Sequence, residues 1–369
     1  MEASAYGRPW WYRGAHLQTV WGPLFRRFGR PRLRRERIRT RDDDFLDLDW
    51  LDGAPTAGPL VLVVHGLEGS SRSHYVSGLM QESARLGLAA TALNFRSCSG
   101  EINRAARLYH SGDTSDLEFV ILELLDRQPA RRLGIVGVSL GGNVALKWLG
   151  ERGEKTPEQV AAAAAISTPF DLAACAAVLD AGFRRALYTG SFLRSLKGKV
   201  KAKAALFADR IHLPSASHAR TFAEYDRVVT APLYGFADER DYWSRSSSAG
   251  YLDAIRRPCL LINALNDPFM PPSVLPTELV ARSPWLEAAF VPEGGHAGFL
   301  EGPVGRRSWA ERQALAFLAW HLRGNSEGGS ALLPNLPPET GCAGEAGARS
   351  GTPTARRSVR TGDQSATGC

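Results

Sequence analysis

Several features that would define other classes of protein are missing from this 369-residue sequence. No apolar run reaches 18 residues, which excludes an ordinary transmembrane helix. Its five cysteines, an odd number, occur without a Cys-x-x-Cys pair, so neither a disulfide framework nor a metal site is expected. No internal repeat is present. The N-terminal residues lack the apolar core of a secretory signal peptide, and we therefore expect a cytoplasmic protein.

Negative charge is scarce near the start of the chain. Residues 1–41 contain eleven arginines and two glutamates, a local charge of +9 in a chain of net charge +7, so the remainder is slightly acidic. Such a segment attracts nucleic acid, acidic lipid headgroups or an acidic face of the same protein. No nucleic-acid-binding motif accompanies it, so nucleic acid is not expected. Interleaved aromatic residues fit peripheral membrane contact through residues 1–33 or, as we favour, packing over the core.

From residue 58 onward, short apolar runs alternate with helical segments. Strands are predicted at 59–65, 88–94, 132–137, 160–166, 258–265 and 286–292, and helices at 75–86, 113–127, 140–150 and 307–322. Strands this apolar are buried on both faces, which predicts an α/β fold with a mostly parallel central sheet and helices on both faces. Alternating residues over 34–51 predict a leading antiparallel hairpin.

The strand pattern lapses in the middle of the chain, which sets the predicted domain organisation. Residues 34–168 and 251–323 form the α/β core, and 169–250 form a helical cap insertion. Residues 1–33 are a basic aromatic segment, and 324–369, rich in small and polar residues, are a disordered tail. Four alternating lysines of the insertion are predicted to line a solvated face: Lys197, Lys199, Lys201 and Lys203.

One serine lies between a predicted buried strand and a predicted helix. The sequence Gly137-Val138-Ser139-Leu140-Gly141 follows the apolar run 133–136 and has the Gly-x-Ser-x-Gly pattern of a nucleophile elbow. The glycines permit a sharp turn without a clash at Cβ, and the turn exposes the serine at the sheet edge. Ser139 is the candidate nucleophile.

A serine hydroxyl needs a base, and the base needs an acid that orients it. On this kind of turn the partners follow in the order Ser, Asp or Glu, then His. Asp267 follows the apolar strand at 258–265, and His296 follows the strand at 286–292. Both therefore lie at strand ends, and we predict a catalytic triad of Ser139, Asp267 and His296.

The loop after the first core strand completes the predicted site. His65-Gly66-Leu67-Glu68-Gly69 follows five apolar residues, and its glycines allow close approach of a substrate. The backbone N–H groups of Leu67 and Leu140 are the predicted oxyanion-hole donors. His65 is interpreted as structural, and Cys98 as a packed residue.

Linked motifs over residues 9–323 resemble the YheT-like branch of the α/β-hydrolase-fold family, which is related to the eukaryotic α/β-hydrolase-domain lipases. Apart from the elbow and the 65–69 loop, the motifs are His16-Leu17-Gln18-Thr19, the runs 94–100, 109–114 and 230–236, and Asn263 to Phe269. Three residues depart from the family pattern. Ser97 stands for a usual glycine, Tyr234 for a common histidine, and Asn266 for a frequent aspartate.

The resemblance implies an α/β-hydrolase fold and a serine carboxylesterase or acylglycerol-lipase activity on short- to medium-chain acyl esters. It assigns Ser139 as nucleophile, Asp267 as orienting acid and His296 as base, with no cofactor and no metal. The substrate would be a small-molecule or lipid acyl ester. Two alternatives stay open: acyl transfer by the same triad, and a non-catalytic lipid-binding module.

Overall fold

An eight-stranded sheet is the framework of the protein. The computed structural model describes residues 6–26, 31–55 and 57–324, so the tail predicted over 324–369 lies outside the described residues except for Gly324. The strands of the sheet are β1 (Leu33–Arg39), β2 (Phe45–Leu51), β3 (Leu60–Val64), β4 (Ala89–Asn94), β5 (Leu133–Val138), β6 (Val160–Ile166), β7 (Cys259–Ala264) and β8 (Leu286–Val291).

The spatial order of these strands is β1-β2-β4-β3-β5-β6-β7-β8. The pairs β1/β2 and β2/β4 are antiparallel, and every other neighbouring pair is parallel. The predicted hairpin and the mostly parallel sheet are therefore confirmed. A second, two-stranded sheet pairs β9 (Leu300–Glu301) with β10 (Arg307–Ser308).

Helices cover both faces of the sheet and form the segment between β6 and β7. They are α1 (Ala15–Phe25), α2 (His74–Arg85), α3 (Ser115–Arg127), α4 (Leu140–Arg152), α5 (Leu172–Leu179), α6 (Gly182–Arg184), α7 (Gly190–Ala202), α8 (Ala204–Phe207), α9 (Leu213–His218), α10 (Phe222–Tyr225), α11 (Ala231–Tyr234), α12 (Glu239–Ser246), α13 (Thr277–Arg282) and α14 (Trp309–Leu322). Two π-helical turns, Arg185–Thr189 and Asp226–Thr230, join neighbouring helices of that segment.

The side chains of β3 show why this strand is apolar throughout. Leu60, Leu62 and Val64 pack with residues of α3 and α4 on one face, whereas Val61 and Val63 pack with residues of α2 and α14 on the other. All five are buried. A strand covered on both faces has no solvent side on which a polar residue would be favoured.

Residues 167–258, which include the cap predicted at 169–250, contain helices and no strand. This segment, called the cap below, has its own apolar cluster, which includes Leu193, Leu196, Phe207 and Tyr225. Phe269 and Leu67, from the core, pack against the same cluster. The cap therefore makes apolar contacts with the loop that contains Leu67 and with the loop that contains Asp267 and Phe269.

Much of the basic N-terminal charge is paired within the chain. Among the described residues, five of its arginines form ion pairs with carboxylates: Arg8 with Glu293, Arg26 with Glu311, Arg35 with Asp49, Arg37 with Asp47, and Arg39 with Asp43. For these side chains, the anionic partner is an acidic face of the same protein. No helix within the described ranges is long and apolar enough to cross a bilayer.

Ser97, where the family usually has glycine, adopts a left-handed backbone with φ of 63°. Its hydroxyl donates to Asn103 Oδ1 at 2.6 Å and accepts from the Asn103 N–H at 3.2 Å. These local bonds offset part of the strain that a side chain incurs in this conformation. At the second departure, Tyr234 accepts a hydrogen bond from the Leu108 N–H at 2.9 Å.

Candidate active site

Ser139 lies on a tight turn between β5 and α4. Its φ of 56° and ψ of −124° fall outside the regions that non-glycine residues ordinarily occupy, and its N–H donates to Ile166 O at 2.8 Å. A strained residue held in this way by its surroundings is typical of functional sites. The turn directs the hydroxyl away from the strand and towards a cavity.

The two glycines of the elbow are required for close approach of backbone to backbone. A Cβ on Gly141 would lie 2.3 Å from Val64 O, and one on Gly137 would lie 2.4 Å from Gly141 O. No side chain fits at such distances. The glycines therefore let α4 begin directly against the end of β3, which places Leu140 beside the 65–69 loop.

Asp267 follows β7, and its carboxylate is held by two hydrogen bonds. Oδ2 lies 2.8 Å from His296 Nδ1, and Oδ1 accepts from the Phe269 N–H at 2.8 Å. The side chain is fully buried. Because a carboxylate accepts rather than donates, Nδ1 of His296 carries the hydrogen, and Nε2 is free to accept.

His296 Nε2 lies 2.9 Å from Ser139 Oγ. The imidazole stacks on the Phe269 ring, with centroids 4.0 Å apart and planes inclined by 18°. The structure thus brings the three predicted side chains into one continuous line of hydrogen bonds. A hydroxyl placed in this way can transfer its proton to imidazole as it attacks an electrophile.

Leu67 and Leu140 meet at the same end of the sheet. Both line the cavity that contains Ser139 and His296. The loop passes close to the serine, since a Cβ on Gly66 would lie 3.0 Å from Ser139 Cβ. Among the described residues, no acceptor bonds the Leu67 N–H, and Leu140 is the first residue of α4, whose N–H has no partner within the helix. Two N–H groups are therefore available at this point.

The cavity above Ser139 has a volume of about 700 Å³. Apolar side chains of the cap line one side of it: Leu172, Ala176, Leu179, Phe192 and Phe222. Residues of α1 and α2 line another side, including Val20, Pro23, Ser77 and Gln81. Leu24 and Leu187 border the cavity and are partly exposed, so the cavity opens to solvent between α1 and the cap.

The predicted solvated lysine face of the cap is wrong for three of its four residues, since Lys201 is exposed but Lys197 is half-buried and donates to Ala219 O at 3.0 Å. Lys199 donates to Glu68 Oε1 at 2.6 Å, and Lys203 donates to Asn103 Oδ1 at 2.9 Å. The two lysines are four residues apart, so they share one face of the helical segment and point towards the core. A helical rather than an alternating period would have separated them from Lys197 and Lys201.

Glu68 was not predicted as a functional residue, although it lies next to Leu67. Its N–H donates to Tyr109 Oη at 2.7 Å, and its carboxylate accepts from Tyr109 at 2.7 Å as well as from Lys199. Glu68 has a φ of 54°. The conformation of the loop that presents the Leu67 N–H is therefore fixed by a cap lysine, a contact that spans 131 positions and leaves no local signal.

Asp226, in the second π-helical turn, is a buried carboxyl that borders the cavity. It accepts hydrogen bonds from Trp243 Nε1 at 2.9 Å and from the Thr230 hydroxyl at 2.6 Å. Burial raises the pKa of Asp226 from 3.8 to about 7. The cap therefore holds an acid that is partly protonated near neutral pH.

His65 and Cys98 have the structural character predicted for them. His65 is buried and accepts from the Phe95 N–H at 3.1 Å, and burial lowers its pKa to about 4. Burial raises the pKa of the Cys98 thiol to about 11, which keeps it protonated and weakly nucleophilic. Within the described ranges, no group of three or more His, Cys, Asp or Glu side chains is placed to hold a metal ion.

The chain belongs to the α/β-hydrolase fold family, whose model matches residues 59–303. It is 35% identical over 320 residues to the candidate esterase YheT of Escherichia coli, covering 85% of this chain and 93% of that protein. It is 30% identical over 300 residues to the mouse phospholipase ABHD3, covering 79% of this chain and 72% of that one.

Two further comparisons agree with the family. The chain is 28% identical over 299 residues to the monoacylglycerol lipase of Saccharomyces cerevisiae, covering 78% of this chain and 65% of that protein. Among solved structures, an acylaminoacyl peptidase of Pyrococcus horikoshii superposes with a TM-score of 0.51 at 17% identity, covering 84% of this chain and 45% of that one. At that identity the superposition shows the fold alone.

Proposed function

We propose that the protein is a serine carboxylic-ester hydrolase that uses Ser139, His296 and Asp267 as a catalytic triad. The observation that carries the proposal is the unbroken line of hydrogen bonds from Ser139 Oγ through the imidazole to the Asp267 carboxylate. It lies beside an apolar cavity, where an acyl group can bind away from water. Relatives named as esterase, phospholipase and monoacylglycerol lipase support the same class of reaction.

In the proposed first half-reaction, Ser139 Oγ attacks the ester carbonyl carbon while its proton passes to His296 Nε2. Asp267 stabilises the resulting imidazolium through Nδ1. The carbonyl oxygen becomes an oxyanion and accepts hydrogen bonds from the Leu67 and Leu140 N–H groups. Each such donor contributes about 3 kcal/mol to transition-state stabilisation. The tetrahedral intermediate then collapses, and His296 gives its proton to the departing alcohol oxygen, leaving an acyl group on Ser139.

In the second half-reaction, water replaces the alcohol. The water oxygen attacks the acyl carbon while His296 accepts a proton from that water. The Leu67 and Leu140 N–H groups stabilise the second oxyanion. Collapse releases the carboxylic acid and returns the proton to Ser139. The chemistry uses side chains and backbone of this chain only.

The cap lining favours a short- to medium-chain acyl group of a small-molecule or lipid ester. Leu172, Leu179 and Phe222 supply an apolar surface for methylene groups. Hydrolysis of p-nitrophenyl acetate, butyrate, octanoate and palmitate tests this point. We expect the highest kcat/KM on butyrate or octanoate, and a maximum on palmitate would contradict the proposed chain length.

The proposed function predicts a large loss on removal of the nucleophile. Ser139→Ala should lower the turnover of p-nitrophenyl butyrate by about 10⁴–10⁶-fold, because no other group replaces the acyl acceptor. A fluorophosphonate probe should label the wild-type protein at Ser139, as mapped by mass spectrometry, and should not label the variant. A folded variant that retained most of its activity would overturn the assignment.

We propose in addition that the N-terminal segment, residues 1–33, contacts a membrane surface. Trp10, Leu24 and Phe25 are exposed to 78%, 54% and 52%, and Leu24 borders the mouth of the cavity. A bilayer that covered these side chains would bring lipid esters to the opening. This placement fits a cytoplasmic enzyme that binds membranes peripherally.

Co-sedimentation with anionic phosphatidylglycerol-containing vesicles tests the membrane proposal. Replacing Trp10, Leu24 and Phe25 together by serine should abolish binding, whereas Leu122→Ser should not, although Leu122 is 46% exposed, because it lies on α3. Unchanged vesicle binding by the folded triple variant would contradict this proposal and leave the esterase proposal intact.

A further inference from the structure

The His16-Leu17-Gln18-Thr19 motif lies on α1, yet the sequence assigns it no role in a reaction. Gln18 is fully buried, with no solvent exposure, and Thr19 is 8% exposed. A buried amide is costly unless its donors and acceptors are all bonded. The hydrogen-bond partners of these two side chains therefore indicate which part of the molecule the motif supports.

Gln18 joins the loop that carries Asp267 to the turn that carries His296. Its Oε1 accepts from Asn266 Nδ2 at 2.8 Å and from the Gly294 N–H at 3.0 Å. Its Nε2 donates to Tyr12 O at 2.9 Å and to the Glu293 carboxylate at 3.1 Å. Because the Gly294 N–H can only donate and Tyr12 O can only accept, the orientation of the amide is fixed.

In the turn that contains His296, four consecutive backbone N–H groups donate to side-chain oxygens. Gly294 N–H donates to Gln18, and Gly295 N–H donates to Asn266 Oδ1 at 3.0 Å. The N–H of His296 itself donates to Thr19 Oγ1 at 3.0 Å, and the next N–H, of Ala297, donates to Ser167 Oγ at 2.9 Å. Two of the four acceptors come from α1.

The shape of the turn explains why it depends on these oxygens. It lies outside helix and strand, and Ala297 and Phe299 have φ values of 54° and 48°. Helix α1 packs directly on it, since a Cβ on Gly298 would lie 2.2 Å from Gln18 O. The position of the imidazole is therefore determined by a helix about 277 positions earlier in the chain.

We propose that Gln18 and Thr19 are positioning residues for His296. They hold the histidine turn against the Asp267 loop, so that Nδ1 meets the carboxylate and Nε2 meets Ser139 Oγ. The N-terminal segment is in this respect part of the catalytic apparatus. The inference concerns the geometry of the proposed triad and so rests on the proposed function.

Two substitutions on α1 test the inference. Gln18→Leu removes both acceptor bonds, and we expect kcat on p-nitrophenyl butyrate to fall on the order of 10²-fold with KM nearly unchanged, because ester binding is kept while proton transfer is misaligned. Thr19→Val keeps the shape of the side chain but not its acceptor, and we expect about a 10-fold loss in kcat. Thr19→Ser should restore most of this loss.

A readout independent of turnover is the downfield proton NMR signal of the imidazole N–H that bonds to Asp267. We expect it in the wild type and in the control Leu17→Ala, whose side chain is 36% exposed on the same helix. It should be broadened or absent in Gln18→Leu and in Thr19→Val. If Gln18→Leu does not fold, Thr19→Val decides.

The outcomes separate the two proposals. Folded variants that keep both the wild-type kcat and the NMR signal overturn the positioning role. A parallel loss of thermal stability and activity in Thr19→Val, with no rescue by Thr19→Ser, also overturns it, because a general packing role predicts that result. A wild-type protein that shows the NMR signal but hydrolyses no ester refutes the proposed function and leaves the positioning of His296 testable by NMR.

Discussion

The end of the sheet and the cap above it place buried charge in different ways. At the sheet edge, Asp267 is held by a neighbouring N–H two residues away and by the imidazole of His296. In the cap, Lys203 and Asp226 are buried and Lys199 is half-buried. The two lysines bond Asn103 and Glu68 of the core, about 100 or more positions away, and Asp226 bonds Trp243 and Thr230 of the cap. The sheet-edge carboxylate lies beside the proposed nucleophile and base, whereas the two cap lysines join the cap to the core.

The largest expected effect in this comparison comes from changing the carboxylate at the sheet edge, Asp267. Asp267→Asn should lower kcat by about 10⁴-fold, because an amide can donate to Nδ1 and stabilise the wrong tautomer of His296. Thermal unfolding should change little, since Asn keeps the size of the side chain. A variant with near-normal kcat would remove Asp267 from the proposed mechanism.

Removing the cap lysine that bonds Glu68 should lower the stability of the protein. Lys199→Met leaves the Glu68 carboxylate, 7% exposed, without its cation, and we expect a loss of about 3 kcal/mol in the free energy of unfolding measured with urea. The matched variant Lys201→Met changes an exposed lysine of the same helix and should stay within about 0.5 kcal/mol of the wild type. If the two substitutions lowered the free energy of unfolding equally, the proposed structural role of the Lys199–Glu68 pair would be contradicted.

Asp226 gives the cap a pH-dependent contribution to stability. Its folded pKa is raised by burial from 3.8 to about 7, so between these values the folded protein binds more protons than the unfolded chain. The carboxyl is therefore most favourable to folding below its ordinary pKa, and this contribution is lost as the pH rises through about 7.

Asp226→Asn should remove this dependence, because Asn can still bond Trp243 and Thr230. We expect the variant to be more stable than the wild type at roughly pH 8 and equally stable near pH 4, as measured by thermal unfolding across that range. A constant difference at all pH values would indicate a packing effect instead.

The smallest expected effect concerns the exposed side of the cap. A Cβ at Gly198, within α7, would meet no atom within 4 Å. Gly198→Ala should therefore raise stability by about 0.5–1 kcal/mol, since alanine costs less backbone entropy in a helix. A destabilised variant would show that this face of α7 is covered in solution.

The sheet and the strand-end positions of Ser139, Asp267 and His296 were predictable because each depends on local sequence. Apolar runs of five to seven residues mark buried strands, and the residues that follow them meet at one edge. Of the two elbow glycines, Gly137 reflects a close backbone approach to Gly141 that takes place within five positions. The resemblance to a known family narrowed the predicted reaction to chemistry on carboxylic esters. The matching family model and the similarity to YheT confirmed that resemblance.

The support for those residues was not predictable in the same way. The contacts of Gln18 with Asn266 and of Lys199 with Glu68 span 248 and 131 positions, and no periodicity or local motif records such pairs. The alternation of Lys197, Lys199, Lys201 and Lys203 in the sequence predicts a common surface, and this prediction is wrong. A helix instead places residues four apart on one face.

The outermost strand of the sheet has a consequence for how copies of this protein meet. β1 contains four arginines in seven residues and leaves one row of backbone groups unpaired at the border of the sheet. The unpaired N–H and C=O groups of an edge strand can pair with a strand of another molecule. Charged side chains on an edge strand disfavour such pairing, so β1 limits the association of two copies through this edge of the sheet.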